Sequence, residues 1–189
     1  MRTRIMRATL TGTFAGVVLT AALAGSAFAT NTVTQTVNGG TLTASVANLT
    51  LGAVTVTHAT QPSTGSLTLT ADDSTGKALG WNVTILSSSM AYSGSYGTSP
   101  ANDIPAANLA LGTPATPVMT AGQAVDLTNG PLVVGTGGAL NAAVKVISTL
   151  AAYGMGTYTQ SLPLTLTVPA NPRQGTYTAT LTITVSSGP

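Results

Sequence analysis

Few side chains in this sequence are suited to acid–base, nucleophilic or metal chemistry. The chain contains no cysteine and no glutamate, and His58 is its only histidine. His58 shares the parity of Val54 and Val56 in the alternating stretch VTVTHAT, so we expect a structural histidine that is buried or at the rim of a sheet. A Ser-His-Asp triad is conceivable, but no G-x-S-x-G nucleophile elbow is present. We therefore predict a non-enzymatic protein with no catalytic residue, no metal and no cofactor.

The paired carboxylates Asp72 and Asp73 are a second candidate for chemistry. Adjacent residues of a strand point to opposite faces, so the two carboxylates would not converge on one substrate. The absence of glutamate further weakens a two-carboxylate glycosidase. We interpret the pair as part of a turn in which Asp side chains bond nearby backbone, with a weak calcium contact as the alternative. The glycine-rich stretches at 135–138 and 154–156 lack the lysine of a phosphate-binding loop and are expected to be loops or bulges.

Trp81 is the only tryptophan and lies in the stretch ALGWNVTIL. Two interpretations of Trp81 remain open. It is either a core residue that anchors sheet packing, or an exposed aromatic platform for a sugar ring. Trp81 is therefore the one candidate ligand-binding residue that the sequence offers.

The first 29 residues have the three parts of a secretory signal peptide. An arginine-rich head is followed by an apolar run and by small residues at Ala27 and Ala29, which predicts cleavage after Ala29. An uncleaved anchor helix is the alternative, but the apolar run is shorter than the roughly 20 residues that a spanning helix needs. We therefore expect an exported, extracellular protein whose mature form has no membrane span.

Removing the signal peptide changes the charge of the chain. The full sequence carries a formal net charge of +2, whereas the mature part has Lys77, Lys145 and Arg173 against four aspartates, a net charge of −1. The basic character therefore belongs to the export signal and does not indicate nucleic-acid binding. We also expect no covalent sorting tail, because the sequence stops at Pro189 directly after a predicted strand.

The elements that must position these residues are predicted to be β-strands. Threonine alternates with valine or leucine along most of the mature chain, and the turn signal NGG at 38–40 is typical of hairpins. The predicted strands are NTVTQTV, TLTASVANL, AVTVTHA, GSLTLTADD, GWNVTILS, QSLPLTLTV and TYTATLTITVS. These patterns predict an all-β protein, an antiparallel β-sandwich, in which residues 30–66 and 67–189 pack as one domain.

The last strand shows which face should be buried. We expect its core side chains to be Tyr177, Ala179, Leu181, Ile183 and Val185. The threonines between them should face water and keep a charge-poor sheet soluble.

Three stretches are harder to assign. Residues 138–154 are read either as a helix or as a strand followed by a loop. Residues 87–109 and 112–123 are rich in Ser, Gly, Pro or Thr and are predicted to be irregular surface segments.

The order of several segments resembles the WxL domain family. The stretch Leu67–Ile85 resembles its first signature, in which a strand and an acidic turn lead into Gly80 and Trp81. Residues 151–189 resemble its C-terminal half, with a Gly-x-Gly loop, a strand ending in Val-Pro and a Gly-x-Tyr-x-Ala strand. Two positions depart from the pattern: Val83 stands where leucine is usual, and Ile183 stands where the second tryptophan is expected.

The resemblance implies a secreted surface protein of a Gram-positive bacterium, held non-covalently on the cell wall by contact with peptidoglycan. Only Trp81 is carried over as a candidate contact. The alternative is a self-associating structural subunit of a surface filament, S-layer or biofilm matrix, because a strand such as NTVTQTV can extend a neighbour's sheet. A third hypothesis is binding of an ordered surface by the repeated Thr-x-Thr pattern.

Overall fold

The computed structural model describes residues 32–97 and 99–189 of the chain. The predicted signal peptide, residues 1–29, lies outside the described residues. The chain divides into two compact units, Met1–Thr36 and Val37–Pro189. Residues 32–36 of the first unit form neither helix nor strand. The second unit contains every strand described below. No helix in the described ranges is both long and apolar enough to cross a membrane.

Strands form nearly all the regular structure of the second unit, and two single-turn 3₁₀ helices, Pro100–Asn102 and Ala106–Asn108, supply the rest. The strands are β1 Leu42–Val46, β2 Gln61–Asp73, β3 Trp81–Ser87, β4 Ala91–Ser93, β5 Leu109–Leu111, β6 Val118–Gly122, β7 Leu132–Val133, β8 Gly138–Ala139, β9 Val144–Thr149, β10 Gly156–Val168, β11 Thr176–Thr178 and β12 Leu181–Ser187.

The strands form two main antiparallel sheets. The first has the order β1-β2-β10-β5-β8, with β6 also paired to β10, and the second has the order β12-β3-β9-β7. A small two-stranded sheet joins β4 and β11. The longest pair is β2 with β10, whose ladder runs from Gln61 opposite Val168 to Asp73 opposite Gly156. Within the described part of the chain, β1 and β12 are therefore edge strands, each with a partner on one side only.

The core lies between the two main sheets. Alternate residues of β2, β10 and β3 turn inward and are almost fully buried, as in Leu67, Leu162 and Ile85. The intervening polar residues face outward because successive side chains of a strand point to opposite faces. This arrangement confirms the predicted all-β antiparallel sandwich.

The predicted parity of the C-terminal strand is confirmed, although the strand is broken. Ala179 and Thr180 separate β11 from β12. The expected core side chains are half-buried rather than fully buried, while Thr182 and Thr184 are exposed. The incomplete burial follows from the position of β12 at the edge of its sheet. Residues 138–154 contain β9 and loops, which confirms the strand-plus-loop alternative.

Four expectations about strands are wrong. Residues 53–59 form no strand, and Val54 and Val56 are 38% and 50% exposed. Alternation alone does not create a strand, since the backbone also needs a neighbouring strand to bond. The described part of NTVTQTV, residues 32–37, is likewise not a strand. Conversely, β4 lies inside 87–109 and β6 lies inside 112–123, and both stretches were expected to be irregular surface segments.

Candidate binding groove

A groove opens at the edge of the sandwich where both sheets end, and its volume is about 1010 Å³. One wall belongs to the segment that joins β1 to β2, residues 47–60, which is called the crossover strap here; its residues 47–54 and 56 line the groove. The opposite wall is formed by residues 172–183, which include β11 and the start of β12. The floor is aliphatic and includes Leu67, Ile104, Leu109, Leu164, Leu166 and Val168.

Side chains of β2 hold the crossover strap in place. The Gln61 amide donates hydrogen bonds to the Thr55 carbonyl at 2.7 Å and to the Thr57 hydroxyl at 2.8 Å. The Ser63 hydroxyl donates to the Gly52 carbonyl at 3.0 Å. Among the described residues, 47–56 make no backbone–backbone hydrogen bond. The strap is thus fixed by side chains, and its own backbone groups are not used in a ladder.

Gly65 allows the strap to lie close to β2. An ideal Cβ at this position would come within 2.8 Å of a Leu51 methyl carbon and 3.0 Å of a Leu49 methyl carbon. Any larger residue would therefore push these two leucines away from the floor of the groove.

His58 connects the strap to the loop 169–175. Its ring Nδ1 is hydrogen-bonded to the Asn171 side-chain oxygen, and the Asn171 backbone N–H donates to the Thr57 carbonyl at 2.9 Å. His58 is exposed, so the expectation that it shares a buried or rim position with the neighbouring valines is wrong. The physical reason is that its segment forms no strand and therefore has no inward face. The contacts of His58 are those of a structural residue.

Two tyrosines position the loop 169–175 at one end of the groove. The Tyr92 hydroxyl donates to the Gln174 carbonyl and the Tyr177 hydroxyl to the Arg173 carbonyl, each at 2.8 Å. The two rings pack with their centroids 5.3 Å apart and tilted by 54°. Burial raises the pKa of the Tyr177 phenol, outweighing the opposite effect of its bond to the Arg173 backbone. The phenol therefore remains a donor at neutral pH.

The loop presents Arg173 at the mouth of the groove. The guanidinium carbon of Arg173 lies 5.1 Å from the centroid of the Tyr96 ring, a cation–π distance. Tyr96 is 58% exposed, and Arg173 is exposed as well. Asn171 and Gln174 complete this part of the surface, which encloses a shallow cavity of about 370 Å³. We call these four residues the groove mouth.

Trp81, the candidate ligand contact from the sequence, is fully buried between the sheets. Its indole N–H donates to the Gly154 carbonyl at 2.9 Å, and its ring lies 6.1 Å from that of Tyr158. A ligand cannot reach the ring in this conformation, so the proposal of an exposed Trp81 platform is corrected. The core interpretation, which the sequence left open, describes its position.

The two adjacent aspartates point to opposite faces, as predicted. Asp73 is 5% exposed and accepts hydrogen bonds from the Thr75 backbone N–H and hydroxyl at 3.0 and 2.7 Å, which confirms the Asp-stabilised turn. Asp72 accepts a hydrogen bond from the Thr157 hydroxyl at 2.6 Å. In residues 32–97 and 99–189, no three His, Cys, Asp or Glu side chains are grouped closely enough to hold a metal ion.

Tyr96 and Arg173 were not predicted from the sequence. Tyr96 lies in the segment 87–109, which was predicted to be irregular, Arg173 lies in the loop 169–175, and only the fold brings them together. A usable signal was present: Tyr96 lies between Gly94 and Gly97 in a polar stretch, where a large aromatic side chain has no adjacent strand in which to be buried.

Comparison with protein-family models, with curated proteins and with solved structures found no match to this chain.

Proposed function

We propose that this chain is an exported, non-enzymatic cell-surface protein that associates non-covalently with the cell wall, through peptidoglycan. The observation that carries the proposal is the stacked pair of Tyr96 and Arg173 at the groove mouth. An exposed aromatic ring offers an apolar face for a sugar ring, and a guanidinium binds carboxylates or phosphates with a planar pair of donors. Wall polymers present both kinds of group.

The location and the partner are those implied by the WxL resemblance, but the contact with the polymer is placed at Tyr96 and Arg173 instead of Trp81. The buried tryptophan supports the sandwich, and the exposed mouth meets the polymer. The chain is poor in charge, with 5% charged residues, so one exposed guanidinium beside an aromatic ring is a distinct feature of its surface.

The test is co-sedimentation of the mature protein, residues 30–189, with purified Gram-positive cell walls. Saturable pelleting of the wild-type protein is expected. Arg173→Ala should weaken binding by about tenfold or more, because a hydrogen bond to a charged group contributes about 1.5–3 kcal/mol. Tyr96→Ala should also weaken binding, because it removes the ring face that meets the sugar.

Two control variants separate the contact from general effects of charge and folding. Tyr96→Phe keeps the ring and should bind like the wild type. Lys77→Ala removes one positive charge from the exposed turn between β2 and β3 and should also leave binding unchanged. Absence of wild-type pelleting would reject the proposed wall association, and equal loss in the Lys77 variant would reject the specific role of the mouth.

A second candidate function is a structural subunit of a surface filament, S-layer or biofilm matrix. The observation that favours it is that, among the described residues, the strap makes no backbone ladder and β11 and β12 each pair with a strand on one side only. Exposed strand edges pair readily with other chains. Size-exclusion chromatography with light scattering over a range of concentrations tests this function, which requires oligomers.

A further inference from the structure

Residues 32–37, called the donor segment here, expose two valines that share one strand face with Gln35. Val33 is 99% exposed and Val37 is 87% exposed. The segment contains no charged residue, and the hydrogen bond described within it joins the Gln35 amide to the Thr36 carbonyl. Valine and threonine favour strands, yet this segment forms none. Among the described residues, the backbone groups of this segment have no partner apart from the Thr36 carbonyl, so a strand-prone segment with exposed valines gains from pairing with a strand edge.

The groove offers two such edges. The backbone of strap residues 47–56 makes no backbone–backbone hydrogen bond among the described residues, and only its Gly52 and Thr55 carbonyls accept from side chains. On the opposite wall, β11 pairs only with β4 and β12 only with β3 within the described ranges, so their other edges are free. The floor between the walls is aliphatic. A strand laid in the groove would find backbone partners at its sides and apolar side chains beneath.

We propose that the groove accepts the donor segment of a second copy of this chain as an added β-strand. In this arrangement Val33, Gln35 and Val37 share the face turned to the floor, so the Gln35 amide lies between the two valines, and Thr32, Thr34 and Thr36 face solvent. Six residues of strand span about 20 Å, and the wall from Thr176 to Ile183 spans about 26 Å. The donor segment is therefore short enough to fit along the wall, and its lack of charge suits the aliphatic floor.

The donor segment cannot lie over the floor of its own copy, because the chain between Val37 and Gly40 is too short to reach it. Gly40 is fixed at the far end of β2, where its N–H donates to the Ser74 carbonyl at 2.8 Å. Val37 lies three residues before Gly40 and can reach about 11 Å from it. Floor residue Leu67 is seven residues before Ser74, about 23 Å along the strand. Val37 therefore cannot lie over Leu67 of its own chain.

The contact joins two different surfaces, the donor segment of one copy and the groove of the next. Such head-to-tail contacts produce rings if the rotation closes and open filaments if it does not. The inference rests on the second candidate function, the structural subunit, and names how its copies would be joined.

The first experiment compares two double variants of the mature protein by size-exclusion chromatography with light scattering. Val33→Asp/Val37→Asp places charges on the face that meets the floor. Thr34→Asp/Thr36→Asp adds the same charge to the opposite face of the same segment. We expect oligomers in the wild type and in the threonine variant, and monomers in the valine variant. All four positions are exposed, so neither variant should unfold the domain.

The second experiment locates the contact by cross-linking, which is straightforward because the chain has no cysteine. A protein with Val37→Cys is mixed with one that carries Thr178→Cys, Ala179→Cys or Thr180→Cys in the groove wall. At least one mixture should form a disulfide-linked dimer under mild oxidation. A control with Thr128→Cys, an exposed position outside the groove, should not.

The outcomes distinguish the inference from the function it rests on. Oligomers that persist in the valine variant, without cross-links in the wall mixtures, would overturn strand exchange while leaving the structural subunit standing. A wild-type protein that stays monomeric and forms no cross-link at any concentration would overturn both.

Discussion

Replacing Trp81 with phenylalanine tests the core position of this residue. The substitution keeps an aromatic ring between the sheets but removes the indole N–H that donates to the Gly154 carbonyl at 2.9 Å. No other donor to that carbonyl is present among the described residues. Leaving a buried acceptor unpaired costs about 1–3 kcal/mol. The smaller ring leaves a cavity that adds about 1 kcal/mol. We expect the free energy of unfolding to fall by about 2–4 kcal/mol.

The measurement is urea denaturation followed by far-UV circular dichroism, because the variant has no tryptophan fluorescence. With a slope of about 2 kcal/mol per molar urea, the midpoint should fall by about 1–2 M. In the wild-type protein, the single tryptophan should be shielded from acrylamide quenching until the protein unfolds.

Leu127→Ala is the matched control, since Leu127 is 81% exposed and its loss should change stability by less than about 0.5 kcal/mol. A midpoint for Trp81→Phe within a few tenths molar of the wild type, together with strong quenching of the native protein, would refute the buried position. The exposed-platform interpretation would then return.

Three further predictions concern other contacts of the fold. Gly154→Ala should destabilise the protein by about 2 kcal/mol or more, measured by thermal unfolding, because φ is +79° and an added Cβ would lie 2.6 Å from a Thr149 methyl carbon. The pKa of Tyr158 is raised above its ordinary value of 10.0, first by burial and then by the nearby Asp73 carboxylate. The folded state therefore holds this proton more tightly than the unfolded state, so its contribution to stability is complete below pH 10 and declines as the pH rises above it. Urea midpoints between pH 8 and 11 should show this decline, and Tyr158→Phe should reduce it; an identical profile in the variant would contradict the assignment. Asn171→Ala should loosen the crossover strap by removing the contact with His58 and placing alanine at φ +53°, and limited proteolysis should cut within residues 47–60 faster than in the wild type. Asn171→Gly tolerates that φ, so it separates the loss of the His58 contact from backbone strain. Equal resistance to proteolysis in the wild type and both variants would show that Asn171 does not hold the strap.

The sequence alone determined the fold class and the faces of the long strands. Threonine alternates with aliphatic residues through β2 and β10. This period of two is a local property, since alternate residues of a strand share one face whichever strands lie beside it. The same reasoning placed Ile183 inward on β12 and located the Asp73 turn. The position of Trp81 could be decided only from the tertiary structure, because a tryptophan in a strand is compatible with either a core or a binding surface.

The tertiary structure decided which alternating segments pair and which side chains meet. Residues 53–59 alternate as clearly as β2 does, yet they form no strand, because pairing depends on a free edge at the right place and not on the local pattern. Tyr96 and Arg173 become neighbours only because β4 and β11 pair and because the buried Tyr92 and the half-buried Tyr177 bond the loop that follows β10. Contacts between residues far apart in the chain depend on how the sheets are arranged, so the groove and its mouth could not be deduced from sequence periodicity.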